Sequence, residues 1–104
     1  NIAAELKKDF ADLKSPALGV EFTGTSVSSN GDGFDTSKRH QAALLYNPHI
    51  RFYNAQRGYM RHTVTPARWQ AEYQVLDNIT RGDGKLSIRK RFVVEDGKPE
   101  LHES

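Results

Sequence analysis

This sequence has no cysteine and no long run of apolar residues. Without cysteine the chain can form neither disulfide bonds nor thiolate ligands for a metal. A membrane-spanning helix needs roughly 20 consecutive apolar residues, and no segment approaches that length, so we expect no membrane span. The chain begins with neither methionine nor a signal peptide. We therefore interpret it as a processed or recombinant piece, with any signal peptide standing upstream.

A strong charge of one sign is missing as well. The 15 basic and 13 acidic residues are well mixed, so the net charge of +2 and the pI near 9.0 reflect a small imbalance. Four arginines interleave with aromatic residues: Arg51, Arg57, Arg61 and Arg68. Such a pattern could suit a single-stranded nucleic acid. Acidic residues such as Glu21 and Glu72 dilute the charge, so we favour a solvated sheet face and expect no nucleic-acid partner.

The chain is also poor in apolar residues for its size. Its 104 residues suit one small domain or part of a larger one. Hydrophobic residues make up 37%, and the mean hydropathy is −0.70. That is enough to fold, but it is low for a free-standing domain. The deficit indicates a missing partner.

The stretch 47–77 organises the predicted fold. Apolar and polar residues alternate there with a period of two, which places each set on one face of a strand. The predicted strands are 50–54, 59–64 and 69–75, with turns at 55–58 and 65–68. Gly58 and Pro66 supply the turn chemistry. We expect these aromatic-rich strands to form one meander that carries the core.

The rest of the chain is read in the same way. Residues 1–10 fit a helix or a strand equally well, and that choice stays open. The further predictions are a strand over 17–26, a loop over 28–34, a helix over 38–46 capped by Asp35, Thr36 or Ser37, a turn over 81–85, a strand over 86–95, and a frayed tail over 98–104. The expected fold class is α+β, mainly an antiparallel β meander with one short helix.

Four histidines are present: His40, His49, His62 and His102. No two have the close helical spacing of a zinc site, so we predict no metal site within this chain. His49 lies at a helix-to-strand junction and could reach a cleft, although a lone histidine is more often structural. His62 fits a satisfied core or interface position, and His40 and His102 fit the surface.

The strand exit 24–29 places hydroxyl groups and backbone amides where a phosphate could be held. Ordinary turn chemistry explains the same residues, and this alternative stays open. The nearby Gly-Asp-Gly at 31–33 is not a phosphate loop, because it lacks the Gly-Lys-Ser/Thr ending.

Several segments in order carry a resemblance: 21–29 with 31–33, 47–52, 57–61, 63–66, 68–69 and 92–97. Together they resemble the C-terminal part of the PhoD-like alkaline phosphatase D family. The opening, Asn1 to Lys7, resembles the segment that follows the family's Gly-Asp-Val-His metal motif. Asn1 would stand two places beyond that histidine.

The resemblance implies a metallophosphoesterase-like enzyme with an αββα sandwich and an iron and calcium centre. Such an enzyme hydrolyses phosphate monoesters and diesters outside the cytoplasm, periplasmic or secreted, after Tat export. It further implies that residues 1–104 are a C-terminal fragment, inactive alone, whose metal ligands lie mostly upstream in a missing N-terminal half. The candidates for the substrate cleft, or for orienting metal ligands, are Asn1, Thr25, Ser26, Ser28, Ser29 and His49.

Three departures from the family pattern concern packing and substrate choice. Ile2 stands where members often have Trp, Asn30 where Gly is frequent, and His62 where Cys is frequent. A fragment cut through a sandwich exposes an apolar face, so we also expect self-association or marginal stability.

The alternative function is a stand-alone β-rich binding module without enzymatic activity. It would use an aromatic surface of Tyr53, Tyr59, Trp69 and Tyr73.

Overall fold

The computed structural model describes residues 1–29 and 31–104, so the departure at Asn30 lies outside the described residues. Its elements are β1 (Ile2–Lys7), β2 (Ala17–Thr23), α1 (Lys38–Tyr46), β3 (Ile50–Tyr53), β4 (Gly58–Val64), β5 (Arg68–Leu76), β6 (Leu86–Glu95) and β7 (Lys98–Glu103). The strands form a three-stranded sheet in the order β2-β1-β3 and a four-stranded sheet in the order β4-β5-β6-β7. All pairs are antiparallel. The predicted class, mainly antiparallel β with one short helix, is confirmed.

Pairing on both sides decides the structure of the ambiguous opening segment. β1 is the centre of its sheet, with β2 on one side and β3 on the other. Ala3 and Ala4 are buried within it. Of the two alternatives left open for residues 1–10, the strand forms over Ile2–Lys7, because a central strand satisfies its backbone groups with two neighbours.

The core lies between the two sheets. It joins Ala3 and Phe52 from the first sheet to Tyr73, Phe92 and Leu101 from the second. Two polar contacts also cross this interface. The Tyr73 hydroxyl donates to the carbonyl oxygen of Ile2 at 2.5 Å, and the backbone N–H of Leu101 donates to Glu5 Oε2 at 3.1 Å. The buried Glu5 carboxylate therefore holds β7 to β1.

The prediction that residues 47–77 form one meander is wrong in one respect. β4 and β5 form a hairpin with a turn at 65–68, but β3 pairs with β1 in the other sheet. Residues 54–57 do not close a hairpin. They carry the chain from one sheet to the other, because Asn54 pairs with Asn1 and Ala55 pairs with Phe34.

The helix and its cap are confirmed. The Ser37 side chain accepts a hydrogen bond from the backbone N–H of His40 at 3.3 Å, and Asn47 caps the other end. The prediction that His40 lies at the surface is wrong. Its ring is half-buried and stacks on Tyr53 at 4.1 Å and on Phe34 at 5.1 Å. The polar flanks of the helix gave no sign of this stack.

The prediction of a frayed tail over 98–104 is also wrong. Asp96 and Gly97 reverse the chain, with Gly97 at a φ of 76° that favours glycine. β7 then pairs with β6, and Leu101 enters the core with 4% of its surface exposed. Pairing with β6, burial of Leu101 and the hydrogen bond to Glu5 together anchor this edge strand.

We expect Tyr73→Phe to lower the free energy of unfolding by about 1 to 2 kcal/mol near pH 7, because the carbonyl of Ile2 loses a buried donor. Urea unfolding of the 104-residue chain measures this loss. The matched control is Tyr59→Phe, since Tyr59 is 46% exposed. Equal losses in the two variants would contradict the assignment.

The same hydroxyl makes stability depend on alkaline pH. Burial, together with the negative charge of Glu21, raises the pKa of Tyr73 above its ordinary value near 10. The folded chain keeps this proton at pH values where the unfolded chain loses it. Stability from this group is therefore full below about pH 10 and falls as pH rises toward the raised pKa. Tyr73→Phe should flatten that decline, and an unchanged slope would contradict it.

Candidate functional site

Three strand ends meet at one edge of the first sheet. Because β1 runs antiparallel to both neighbours, its beginning lies beside the ends of β2 and β3. Asn1 precedes β1, Thr25 follows β2, and Asn54 follows β3. The topology therefore brings together two of the predicted site residues, Asn1 and Thr25, with a third residue that the sequence did not mark.

A network of amide groups joins these three residues. Asn1 and Asn54 exchange two backbone hydrogen bonds of 2.7 and 3.0 Å. The Asn1 side chain donates from Nδ2 to Asn54 Oδ1 at 3.0 Å and to the Gln56 carbonyl oxygen at 3.3 Å. Its Oδ1 accepts from the backbone N–H of Thr25 at 3.1 Å. Asn1 thus ties together the ends of all three strands.

An ion pair lies behind this network. Asn54, which is completely buried, donates from Nδ2 to Asp35 Oδ1 at 2.7 Å. Asp35 also accepts from Arg89 Nε at 3.0 and 3.2 Å. Burial alone would raise the pKa of Asp35, but the hydrogen bonds from Arg89 and Asn54 outweigh it and lower the pKa below its ordinary value. The carboxylate is therefore charged and can only accept hydrogen bonds.

Arg57 is a positively charged residue at this strand exit. Its guanidinium donates to Thr25 Oγ1 at 3.1 Å and to the Gly31 carbonyl oxygen at 3.0 Å. The backbone N–H of Gly58 donates to the Ser26 carbonyl oxygen at 3.3 Å. A guanidinium beside hydroxyl groups at a strand exit is suited to an anion such as a phosphate.

The predicted serines line the same exit. Ser26 Oγ donates to the carbonyl oxygen of Ser29 at 3.3 Å, which is ordinary turn chemistry. Ser28 and Ser29 are exposed. Thr25 and the three serines are therefore local neighbours, and only Thr25 is joined to Asn1.

The loop after the exit is pinned at two places. Asp32 accepts from the backbone N–H groups of Ile79 and Thr80 at 2.6 and 2.9 Å and from the Thr80 hydroxyl at 3.1 Å. The hydrogen bond from Ile79, followed by those from Thr80, lowers the pKa of Asp32. Phe34 exchanges two backbone hydrogen bonds with Ala55. These contacts hold the loop in the conformation that places Asp35 beside Asn54.

His49 lies at the opposite end of β3 from Asn54. Its ring packs edge-on against Phe10 with centroids 4.7 Å apart, and its carbonyl oxygen accepts from the backbone N–H of Glu5. A four-residue strand spans roughly 13 Å, so the structure does not join His49 to the other candidates. Whether the beginning of β3 lies near the other candidates depends on how the strands pair. The sequence alone did not show that pairing.

The other histidines do not contribute to this site. His62 is exposed rather than in the core, because residues 61–64 of β4 are exposed on both faces of the sheet. Its Nδ1 accepts from Trp69 Nε1 at 2.9 Å. His102 is exposed on β7, as predicted. Across residues 1–29 and 31–104, no three His, Asp or Glu side chains are arranged to hold a metal ion.

The aromatic residues proposed for a binding surface do not share one. Tyr73 is buried, Tyr53 packs against His40, and Tyr59 and Trp69 are partly exposed. Trp69 lines an open groove of about 380 Å³ between the 65–68 turn and the β6–β7 turn. This groove lies at the other end of β5 from the strand exit. Within the described part of the chain, no helix has the length and apolar character to cross a bilayer.

Sequence reasoning missed Asn54 and Asp35 as site residues. A polar residue at the end of an apolar alternation, as in Ile50, Phe52 and Asn54, was the available signal. Such a position is buried and must find hydrogen-bond partners. Asp35 was considered only as a helix cap, and Arg57 only as part of an arginine pattern.

Comparisons with known proteins give a consistent result. A family model described as PhoD-like phosphatase matches residues 1–73. Alkaline phosphatase D of Bacillus subtilis (strain 168) is 42% identical over 93 residues, which covers 89% of this chain and 16% of that protein. A solved structure of PhoD matches with a TM-score of 0.90 at 39% identity, covering 98% of this chain and 20% of that one. The chain thus spans no more than a fifth of the length of these relatives.

Proposed function

This chain belongs to the PhoD-like phosphatase family, and we propose that it is part of a longer phosphatase or phosphodiesterase that hydrolyses phosphate esters. The observation that carries the proposal is the 42% identity to an alkaline phosphatase D over 89% of the chain. The strand exit with Arg57 and Thr25 supports it, because that arrangement suits a phosphate group.

We propose that the longer protein holds a calcium and iron centre whose ligands lie on segments outside this chain. When bound, such a centre polarises the phosphate and supplies a nucleophile. The residues of this chain would support the cleft. Asn1 would fix the segment that precedes β1, and Arg57 would place positive charge and the Thr25 hydroxyl at the cleft edge.

The exposed apolar side chains support a larger assembly. Several are more than half exposed: Leu13, Leu18, Val27, Leu45, Tyr46 and Val64. Large exposed apolar surface marks an interaction site or an aggregation hazard. We propose that the rest of an αββα sandwich covers these residues, that the chain self-associates when alone, and that the whole protein works outside the cytoplasm.

We expect hydrolysis of p-nitrophenyl phosphate, with calcium and iron supplied, by the whole protein and not by the 104-residue chain. The control is the whole protein after removal of its metals by a chelator, which should abolish turnover. Activity in neither protein would favour the binding-module alternative, with the Trp69 groove as its site. Activity in the short chain would mean that its own residues carry the catalytic groups.

A further inference from the structure

The hydrogen bonds around Asn54 have a fixed direction. The Asp35 carboxylate, held by Arg89, can only accept, so the Asn54 nitrogen must face it. The backbone N–H of Gln56 can only donate, at 2.9 Å, so the Asn54 oxygen must face the other way. Two independent groups therefore set the orientation of this buried amide.

The orientation of the Asn54 amide also fixes the orientation of the Asn1 side-chain amide. The Asn54 oxygen accepts from Asn1 Nδ2, which places the Asn1 oxygen against the backbone N–H of Thr25. Both hydrogens of Asn1 Nδ2 are used, one on Asn54 and one on the Gln56 carbonyl oxygen. The Asn1 side chain consequently has no N–H left for a substrate.

We propose that Asn54 is a positioning residue of the phosphatase site, which fixes the Asn1 carboxamide and through it the strand exit at Thr25. This inference rests on the proposed function. It assigns Asn1 and the Thr25 backbone amide to holding the strand ends in register, beside the hydrogen bond from Arg57 to the Thr25 hydroxyl. The hydrogen bonds that run from the partly exposed ion pair of Asp35 and Arg89 through Asn54 and Asn1 to Thr25 form what we call the relay.

The test is Asn54→Asp in the whole protein, purified with its metals. The variant side chain has the same shape as asparagine, but it is a carboxylate and has no N–H to donate to the Asp35 carboxylate. The two carboxylates repel each other, which should displace the group that holds Asn1. We expect kcat/KM for p-nitrophenyl phosphate to fall about tenfold, as is usual when the support of a catalytic site is removed. Hydrogen exchange at the Thr25 amide should become about five- to tenfold faster, while the Tyr73 amide keeps its protection.

The double variant Asp35→Asn with Asn54→Asp reverses the pair, since the new amide can donate to the new carboxylate. It should return both kcat/KM and Thr25 exchange to within about threefold of the unmodified protein, and it carries the test if Asn54→Asp does not fold. If Asn54 had only a structural role, swapping the amide and the carboxylate between positions 35 and 54 would not restore hydrogen exchange at the Thr25 amide.

The matched control is Asn47→Asp. Asn47 is partly buried and donates from Nδ2 to the Ala43 carbonyl oxygen at 2.8 Å, but it lies at the opposite end of β3 from Asn54. It should leave Thr25 exchange unchanged. Unchanged exchange in Asn54→Asp, or a double variant that does not recover it, would overturn the relay. An inactive unmodified protein would overturn the proposed function instead, and Thr25 exchange would still decide the relay.

Discussion

Phe92→Ala is expected to lower the free energy of unfolding by about 4 kcal/mol, the range measured when a large core aromatic is truncated. Phe92 is 1% exposed and lies between the sheets, with its ring centroid 6.2 Å from that of Phe52 and 6.4 Å from that of Tyr73. Stability near 5 to 15 kcal/mol is typical of a domain, so this loss could leave the 104-residue chain largely unfolded.

The matched control is Phe10→Ala. Phe10 is 50% exposed and contacts His49 at the rim, so we expect a loss of about 1 kcal/mol. Urea unfolding at low micromolar concentration, followed by circular dichroism, gives both values. A loss below about 2 kcal/mol for Phe92→Ala would mean that the two sheets do not pack as described.

The strands that carry this core could be predicted from the sequence. Tyr73 and Phe92 each stand in a clear two-residue alternation, and β5 and β6 formed where that alternation predicted them. Alternation identifies the face of a strand but not its partner. The sequence therefore could not show that β3 leaves its sequence neighbours to pair with β1.

The tail shows a different limit. Polar composition favoured fraying over 98–104, yet Leu101 is buried and its backbone N–H is bound by Glu5. These residues are 96 positions apart. A contact over that distance in sequence has no local signal, so only the packed structure could reveal it.

The candidate site could be predicted only in part, because some of its contacts join residues that are far apart in the sequence. The resemblance singled out Asn1 and Thr25, and the antiparallel order around β1 brings them within one hydrogen bond. Asn54 is 53 residues from Asn1 and 19 from Asp35. Asparagine and aspartate are ordinary loop residues, so the hydrogen bond between them was not visible before the strands were paired.

Gly58→Ala should combine a large loss of stability with damage to the strand exit. A Cβ on Gly58 would lie 1.9 Å from the carbonyl oxygen of Gln74 and 2.9 Å from the Cα of Val75, both of them backbone atoms. A backbone cannot yield as a flexible side chain does, so β4 must separate from β5. We expect a loss of about 3 kcal/mol, the upper end of ordinary overpacking.

The same substitution tests how the second sheet supports the site. Gly58 donates its N–H to the Ser26 carbonyl oxygen, so a displaced β4 should loosen the exit beside Thr25. Gly82→Ala is the matched control, since a Cβ there meets nothing within 4 Å and should change stability by about 0.5 kcal/mol or less. Urea midpoints and hydrogen exchange over residues 24–29 measure both effects. If Gly58→Ala equals Gly82→Ala in stability, β4 and β5 do not approach so closely at this pair. If stability falls while exchange at 24–29 is unchanged, the strand exit is held by Asn1 and Arg57 without help from β4.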